Sequence, residues 1–388
     1  MDVLFSRTST TWLLYVVMGC LGYLLNGLGA ILQPLERALG VSQAWVSFYP
    51  TLFAAGLLVV GLVGAPLTRL LGRDLALRCA MALFATGAIA VCLPWWEVSI
   101  VGAAVAGAGG ALLIQIVPTA LATAHPDTAP IAIGEANALS SIASVAAPLA
   151  VAAGLATGLG WQFGYLVPVP FLLAAIVLLR LPRPTGPAGT SDGARDPRGG
   201  FLGRWFDVLL AVSVEFCMVF WSAVALQTWT GVDQSTGIAL SSTFLVGMAV
   251  GRTVSSPVLR RLRTDRNALI AACATALLGF ALFWAGTAPA VAVTGLLVTG
   301  LGIALLYPIA IARAIAIRPA SPDWASSRCA LASGLAIGGA PLLLAQLAQH
   351  LELRVAYLLA PALLVAILVR SLRAGAPTRP SESGFRKV

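Results

Sequence analysis

Twelve stretches of this chain are apolar for long enough to cross a lipid bilayer as helices. About 20 residues at ~1.5 Å each span the roughly 30 Å hydrocarbon core. The stretches fall at 12–34, 44–67, 76–94, 98–122, 131–157, 162–181, 205–228, 235–258, 267–285, 288–314, 328–349 and 354–372. In lipid, each must satisfy its own backbone hydrogen bonds, so each is expected to be helical. The expected fold class is therefore all-α and integral to a membrane. Of 388 residues, 59% are apolar and only 10% charged, with a mean hydropathy of +0.91. A soluble domain carries about 25% charged residues, so a water-soluble globule is excluded. Disorder is excluded too, because it needs low hydrophobicity.

One long polar stretch interrupts the pattern. Pro182–Arg204 is rich in Pro, Gly, Ser and charge and reads as a flexible linker at mid-chain. The expected organisation is a six-helix bundle over 1–181, a linker over 182–204, a second six-helix bundle over 205–372 and a tail over 373–388. The basic residues, all arginine except Lys387, sit mostly between the apolar stretches or at their ends. Arg69, Arg73, Arg78, the linker arginines, Arg260, Arg261, Arg263, Arg266, Arg318 and the tail share one side, against Arg37 and Arg354 on the other. The positive-inside rule then places linker and termini in the cytoplasm, with the chain in the cell membrane. It also accounts for the net charge of +9 without a nucleic-acid partner.

The halves repeat one another. Gly56–Asp74 and Gly247–Asp265 agree without gaps at seven of nineteen positions, including Pro66/Pro257, Arg69/Arg260 and Asp74/Asp265. Gly102, Gly107 and Gly109 align with Gly295, Gly300 and Gly302, and Ser140, Ala147 and Pro148 with Ser333, Ala340 and Pro341. Three matches in order, at offsets of 191 to 193, argue for a duplicated six-helix unit. Spans 3, 6, 9 and 12 lack ionisable or amide side chains in their interiors, so they are expected at the periphery. The other spans enclose a polar centre. Two such halves around a midplane cavity describe a secondary transporter.

Local motifs carry a resemblance to the major facilitator superfamily over essentially the whole chain. Gly64–Arg73 resembles the family's G-x-x-x-D-R-x-G-R loop, with Thr68 at the Asp position and one extra residue before Gly72. Gly160–Tyr165 resembles its G-W-R-x-x-F, with Gln162 for Arg. Ala143–Pro148 stands where the family's exporters carry G-x-x-x-G-P, with Ala for both glycines. The resemblance implies twelve transmembrane helices in two pseudo-symmetric bundles and transport by alternating access. It also implies that an arginine in the eighth helix can anchor an organic anion.

Two residues stand out chemically. Glu215 lies ten residues into span 7, about 15 Å deep and roughly at midplane. A carboxylate there is costly unless paired or protonated, so Glu215 is the candidate proton-coupling group. Arg252, about two turns from the inner end of span 8, is the candidate substrate anchor. Its repeat mate is Gly61, so the charge is no symmetric scaffold feature. Asn26, Gln33, Gln115 and Tyr307 are further candidate substrate contacts. Glu135 and Arg328 occupy equivalent repeat positions and are expected, with Arg313 and Arg69, to form a cytoplasmic gate.

The expected substrate is a small polar solute, an organic anion by the Arg252 argument, carried with protons by a monomer. The alternative is a proton-driven exporter of hydrophobic or cationic compounds, which would tolerate loss of Arg252. Enzyme motifs are missing: there is no H-E-x-x-H, P-loop or C-x-x-C, and His125 and His350 lie in loops. The six cysteines are scattered singly, so no metal site, cofactor or disulfide framework is expected.

Overall fold

The computed structural model describes residues 7–125, 129–179, 200–253, 264–317 and 322–373. The side chains at positions 65, 69, 129–131, 265, 316, 322–324, 326 and 327 are outside the description, as is most of the 182–204 segment and the tail after Arg373. Every regular element among the described residues is a helix. The bilayer forces this on apolar chain, since a helix alone satisfies its own N–H and C=O groups.

Spans 1, 3, 4, 5, 7, 8, 9 and 11 are unbroken: Ser9–Leu39, Arg73–Val91, Trp96–Ala124, Ala129–Ala156, Phe201–Thr230, Gln234–Thr253, Asp265–Ala285 and Pro322–His350. Span 2 is Gln43–Val46 followed by Phe48–Leu71. Phe201–Arg204, the end of the expected linker, form the first turn of span 7. Eleven of the helices are long and apolar enough to cross a membrane among the described residues. Span 8 falls outside that count, being described only as far as Thr253.

Spans 6, 10 and 12 are broken, which the sequence reading did not anticipate. They run Trp161–Tyr165 and Val169–Leu178, Pro289–Ile303 and Leu306–Ala316, and Leu353–Ala356 and Leu359–Arg373. Pro168 and Pro170, Pro308 and Pro361 cannot donate backwards, so the helix restarts with each proline in or beside its first turn. Pro168 and Pro361 are repeat mates. Just before both spans resume, a tyrosine ties the span to its neighbour: the Tyr165 hydroxyl donates to the Leu24 carbonyl at 3.4 Å, and Tyr357 to that of Cys217 at 3.2 Å.

The duplication also governs packing. In the first bundle span 4 lies against spans 2 and 3, and in the second, span 10 lies against spans 8 and 9. Glycines make the approach possible. A Cβ on Gly107 would come within 1.9 Å of the Phe53 carbonyl oxygen, and one on its mate Gly300 within 2.2 Å of that of Phe244. Gly107→Ala is therefore expected to lower stability by about 1–3 kcal/mol through overpacking. Gly134→Ala, with nothing within 4 Å, should not. Thermal unfolding of the two variants checks this; equal midpoints would contradict the packing account.

The extensive contacts between bundles run from span 2 to span 11, span 5 to span 8 and span 1 to span 7. Spans 2 and 5 are the repeat mates of 8 and 11, so the seam obeys the internal two-fold. Spans 3, 6, 9 and 12 pack mainly within their own bundles. Spans 1 and 7 are the most enclosed, with 83% and 78% of their most apolar windows buried. They flank the molecular centre.

Candidate functional site

At that centre, span 7 carries Glu215 and span 8 carries Arg252. Glu215 is about 21 Å along the axis from Phe201, and Arg252 about 27 Å from Gln234 at the opposite end. The two antiparallel helices thus bring them to nearly one depth. An Arg252 Nη2 donates to Glu215 Oε1 at 3.2 Å. The Glu215 side chain is 14% exposed and that of Arg252 39%. The pair is thus accessible from one side and enclosed on the other.

Span 10 adds Tyr307, half-buried, which feels the charges of both Glu215 and Arg252 and faces Ser333 on span 11. Close packing fixes the base of this group: a Cβ on Gly251, beside Arg252, would meet Ala304 of span 10 at 2.6 Å. In the first bundle, span 1 packs closely on span 5 at Gly22. A Cβ there would come within 2.3 Å of Ser140, the repeat mate of Ser333.

Asn26 is held within the first bundle. Its amide donates to the Gly22 carbonyl at 3.0 Å and to Ser144 Oγ at 2.9 Å. Gln115 is exposed on span 4 beside Gly64, where a Cβ would meet its Oε1 at 2.5 Å. Gln33 lies instead in the seam at the end opposite the termini. Its Oε1 accepts from Gln234 Nε2 at 3.3 Å, and Gln234 Oε1 accepts from Arg37 Nη1 at 2.8 Å. On the same half of the seam Thr51 Oγ1 donates to the Gly338 carbonyl at 2.7 Å. These bonds cross between the bundles and close that end. Beside them Asp233 caps span 8 by accepting from Ser235 Oγ and Thr236 N. The Ser235 and Thr236 bonds hold its carboxyl well below the usual carboxylate range. The cap is therefore intact at neutral pH and fades only as pH falls into strong acid.

At the terminus end Glu135, expected in a gate, is tied within its own bundle. Glu135 accepts from Arg7, with Nη2 on Oε1, and from Tyr15 at 2.8 Å. The Arg328 carbonyl accepts from Trp205 Nε1 at 2.8 Å. Arg313 is half-buried in the last turn of its helix, and the Arg69 side chain lies outside the described residues. His125, read from sequence as a solvated loop residue, instead makes a 2.7 Å hydrogen bond to Thr11 Oγ1 and joins spans 1 and 4.

Sequence reasoning missed Ser144, Ser333, Gln234, Thr51 and Arg7. The alignment of Ser140 with Ser333 marked the span faces that meet the centre. Nothing local marked Gln234 or Arg7, whose partners lie 201 and 128 residues away.

The family model described as Major Facilitator Superfamily matches residues 11–322. No curated protein matches the chain by sequence. Among solved structures, a D-xylose–proton symporter superposes with a TM-score of 0.76 at 14% identity, covering 95% of this chain and 98% of its own. A nucleoside transporter reaches 0.74 at 14% identity, covering 94% and 99%. A peptide transporter in complex with sulfate reaches 0.73 at 14% identity, covering 96% and 94%. At these identities the likeness is one of fold.

Proposed function

The chain belongs to the Major Facilitator Superfamily, and on that premise we propose that it carries a small organic anion by alternating access, together with a proton. It is a multi-pass membrane transporter and not an enzyme. The observation that carries the finer reading is the Glu215–Arg252 contact at 3.2 Å, half-enclosed between spans 7 and 8. The arginine asymmetry supports a place in the cell membrane with both termini cytoplasmic.

The chemistry follows from charge balance. An unpaired charge costs several kcal/mol in an enclosed, low-dielectric site. Two states of the site are neutral. In one, ionised Glu215 pairs with Arg252. In the other, protonated Glu215 releases the guanidinium fork, which takes a carboxylate from solution. Arginine stays charged throughout, and its planar fork matches a carboxylate with two parallel hydrogen bonds. The mixed states, anion without proton or proton without anion, leave one net charge and are disfavoured in the closed intermediate. Anion and proton therefore cross together. Tyr307, Ser333 and Asn26 supply further polar contacts to the solute.

The reading is tested by thermal unfolding of purified protein against a panel of small carboxylates and lipophilic cations. A ligand of the folded form at a hundred times its dissociation constant adds about 2.7 kcal/mol. Stabilisation by a carboxylate, lost in Arg252→Ala, is the expected result. Stabilisation by lipophilic cations that survives Arg252→Ala and is lost in Glu215→Gln would replace this reading with the exporter.

Closure at the end opposite the termini implies a partner state closed at the terminus end, and Glu135 and Arg328 are the proposed contact there, with Arg313 and Arg69 beside them. Arg328→Glu should then cut transport severalfold, and adding Glu135→Arg should restore part of it. Flux measurements on the single and double variants decide the matter; no recovery in the double variant counts against the gate.

A further inference from the structure

At the terminus end of the second bundle, the start of span 7 and the ends of spans 10 and 12 enclose a cavity of about 410 Å³. Among the described residues its wall carries Arg204, Arg370 and Arg373 against one carboxylate, Asp207. Asp207 is already engaged on both oxygens, accepting from Arg370 Nε at 2.6 Å and from Arg204 Nη1 at 3.3 Å. Three guanidiniums against one carboxylate leave the wall two positive charges in surplus. Arg370 is further fixed by donating Nη2 to the Gly203 carbonyl at 2.5 Å and by lying over the Phe206 ring at 5.9 Å. Arg266 grips the carbonyls of Ser371 and Leu372 at 3.2 Å, which holds the end of span 12 and so the backbone bearing Arg373.

A second feature points the same way. Span 7, a helix of 30 residues, begins at this cavity with Gly200 as its N-cap, at φ 115°, so its cap brings no side-chain acceptor. The positive pole of the helix and two glycine backbones, Gly200 and Gly203, thus face the same space as the arginines. A helix N-terminus beside arginine forks is the chemistry that recognises phosphate. The cavity also lies where three membrane spans end, at headgroup level. There, basic pockets between transmembrane helices meet anionic lipids.

We propose that this cavity is a phosphate-binding site, separate from the Glu215–Arg252 centre. Its ligand is the phosphate of an anionic phospholipid headgroup or a free phosphate. Arg373 supplies one of the two charges that Asp207 does not neutralise, while Arg204 and Arg370 shape the wall through their bonds to Asp207. A ligand bound here would tie span 7, which carries Glu215, to spans 10 and 12.

The test uses the full chain purified in a neutral detergent, with thermal unfolding followed by tryptophan fluorescence. The protein is titrated with micelles containing phosphatidylglycerol, with phosphatidylcholine of the same acyl chains, and separately with inorganic phosphate. The expected result is saturable stabilisation by phosphatidylglycerol and not by phosphatidylcholine. In Arg373→Gln the half-saturating lipid concentration should rise at least about tenfold, the loss of one charge-assisted contact. Arg373→Glu should abolish the effect, while both variants unfold at the wild-type midpoint without lipid. Stabilisation by inorganic phosphate with the same dependence on Arg373 assigns the site to the free ion; an effect confined to phosphatidylglycerol assigns it to the headgroup. Equal stabilisation by both lipids, no response to either anion, or a phosphatidylglycerol response unchanged in both variants would overturn the proposal. Glu215→Gln should keep the full lipid response, which separates this site from the transport centre.

Discussion

Arg252→Lys should lose at least nine-tenths of carboxylate transport although its charge is unchanged. The guanidinium reaches Glu215 Oε1 from Nη2 across 3.2 Å, and a carboxylate solute is proposed to take the same fork. Lysine offers one compact ammonium on a flexible stem, which cannot make two parallel bonds. Losing one charge-assisted hydrogen bond costs about 1.5–3 kcal/mol, or roughly 10- to 100-fold in affinity. Uptake of a labelled carboxylate into proteoliposomes measures this. Wild-type flux in the lysine variant would mean that a point charge suffices and would remove the argument for an anion anchor.

Glu215→Gln should separate two activities that most transport assays merge. Glutamine resembles the protonated carboxyl, so the variant should bind anion and exchange it across the membrane. The empty carrier, however, would have to reorient with Arg252 unpaired. Breaking a buried ion pair costs about 3–5 kcal/mol. Arg252 is 39% exposed, so the low end applies. That slows the empty return step on the order of 100-fold. Net uphill uptake should therefore vanish while anion exchange persists without pH dependence. Loss of both activities at intact folding would assign Glu215 to solute binding alone. Retention of proton-driven accumulation would place the coupling group elsewhere.

Much of this architecture could be read from the chain because the bilayer restricts the options. Span positions follow from the length of apolar runs, and the two-fold follows from gapless matches such as Gly107/Gly300. The same glycines mark the tightest helix contacts, so a sequence identity became a packing fact. The depths of Glu215 and Arg252 follow from counting residues along straight helices. Rotation about each helix axis is not encoded so simply. Gln33 was expected in the cavity and lies in the seam with Gln234. Glu135 is held by Arg7 and Tyr15 of its own bundle, partners that no local pattern marked. Breaks in spans 6, 10 and 12 escaped notice because a single proline barely disturbs an apolar run, although it removes one donor from the helical ladder.

The arginine-rich cavity at the start of span 7 shows a related limit. Its residues come from positions 200–207, 317 and 370–373, and each alone reads as a flanking charge under the positive-inside rule. Only the packing of three span ends turns those charges into one concave surface.

The central claim is that one proton enters with each anion at the Glu215–Arg252 pair. Calorimetric titration of the stabilising carboxylate into purified protein tests it most directly, in two buffers of different ionisation enthalpy at one neutral pH. The difference in heat gives the protons taken up on binding. The account predicts uptake close to one proton per anion in the wild type, none in Glu215→Gln, and no detectable binding in Arg252→Ala. Binding without proton uptake in the wild type, or the same uptake in Glu215→Gln, would contradict it.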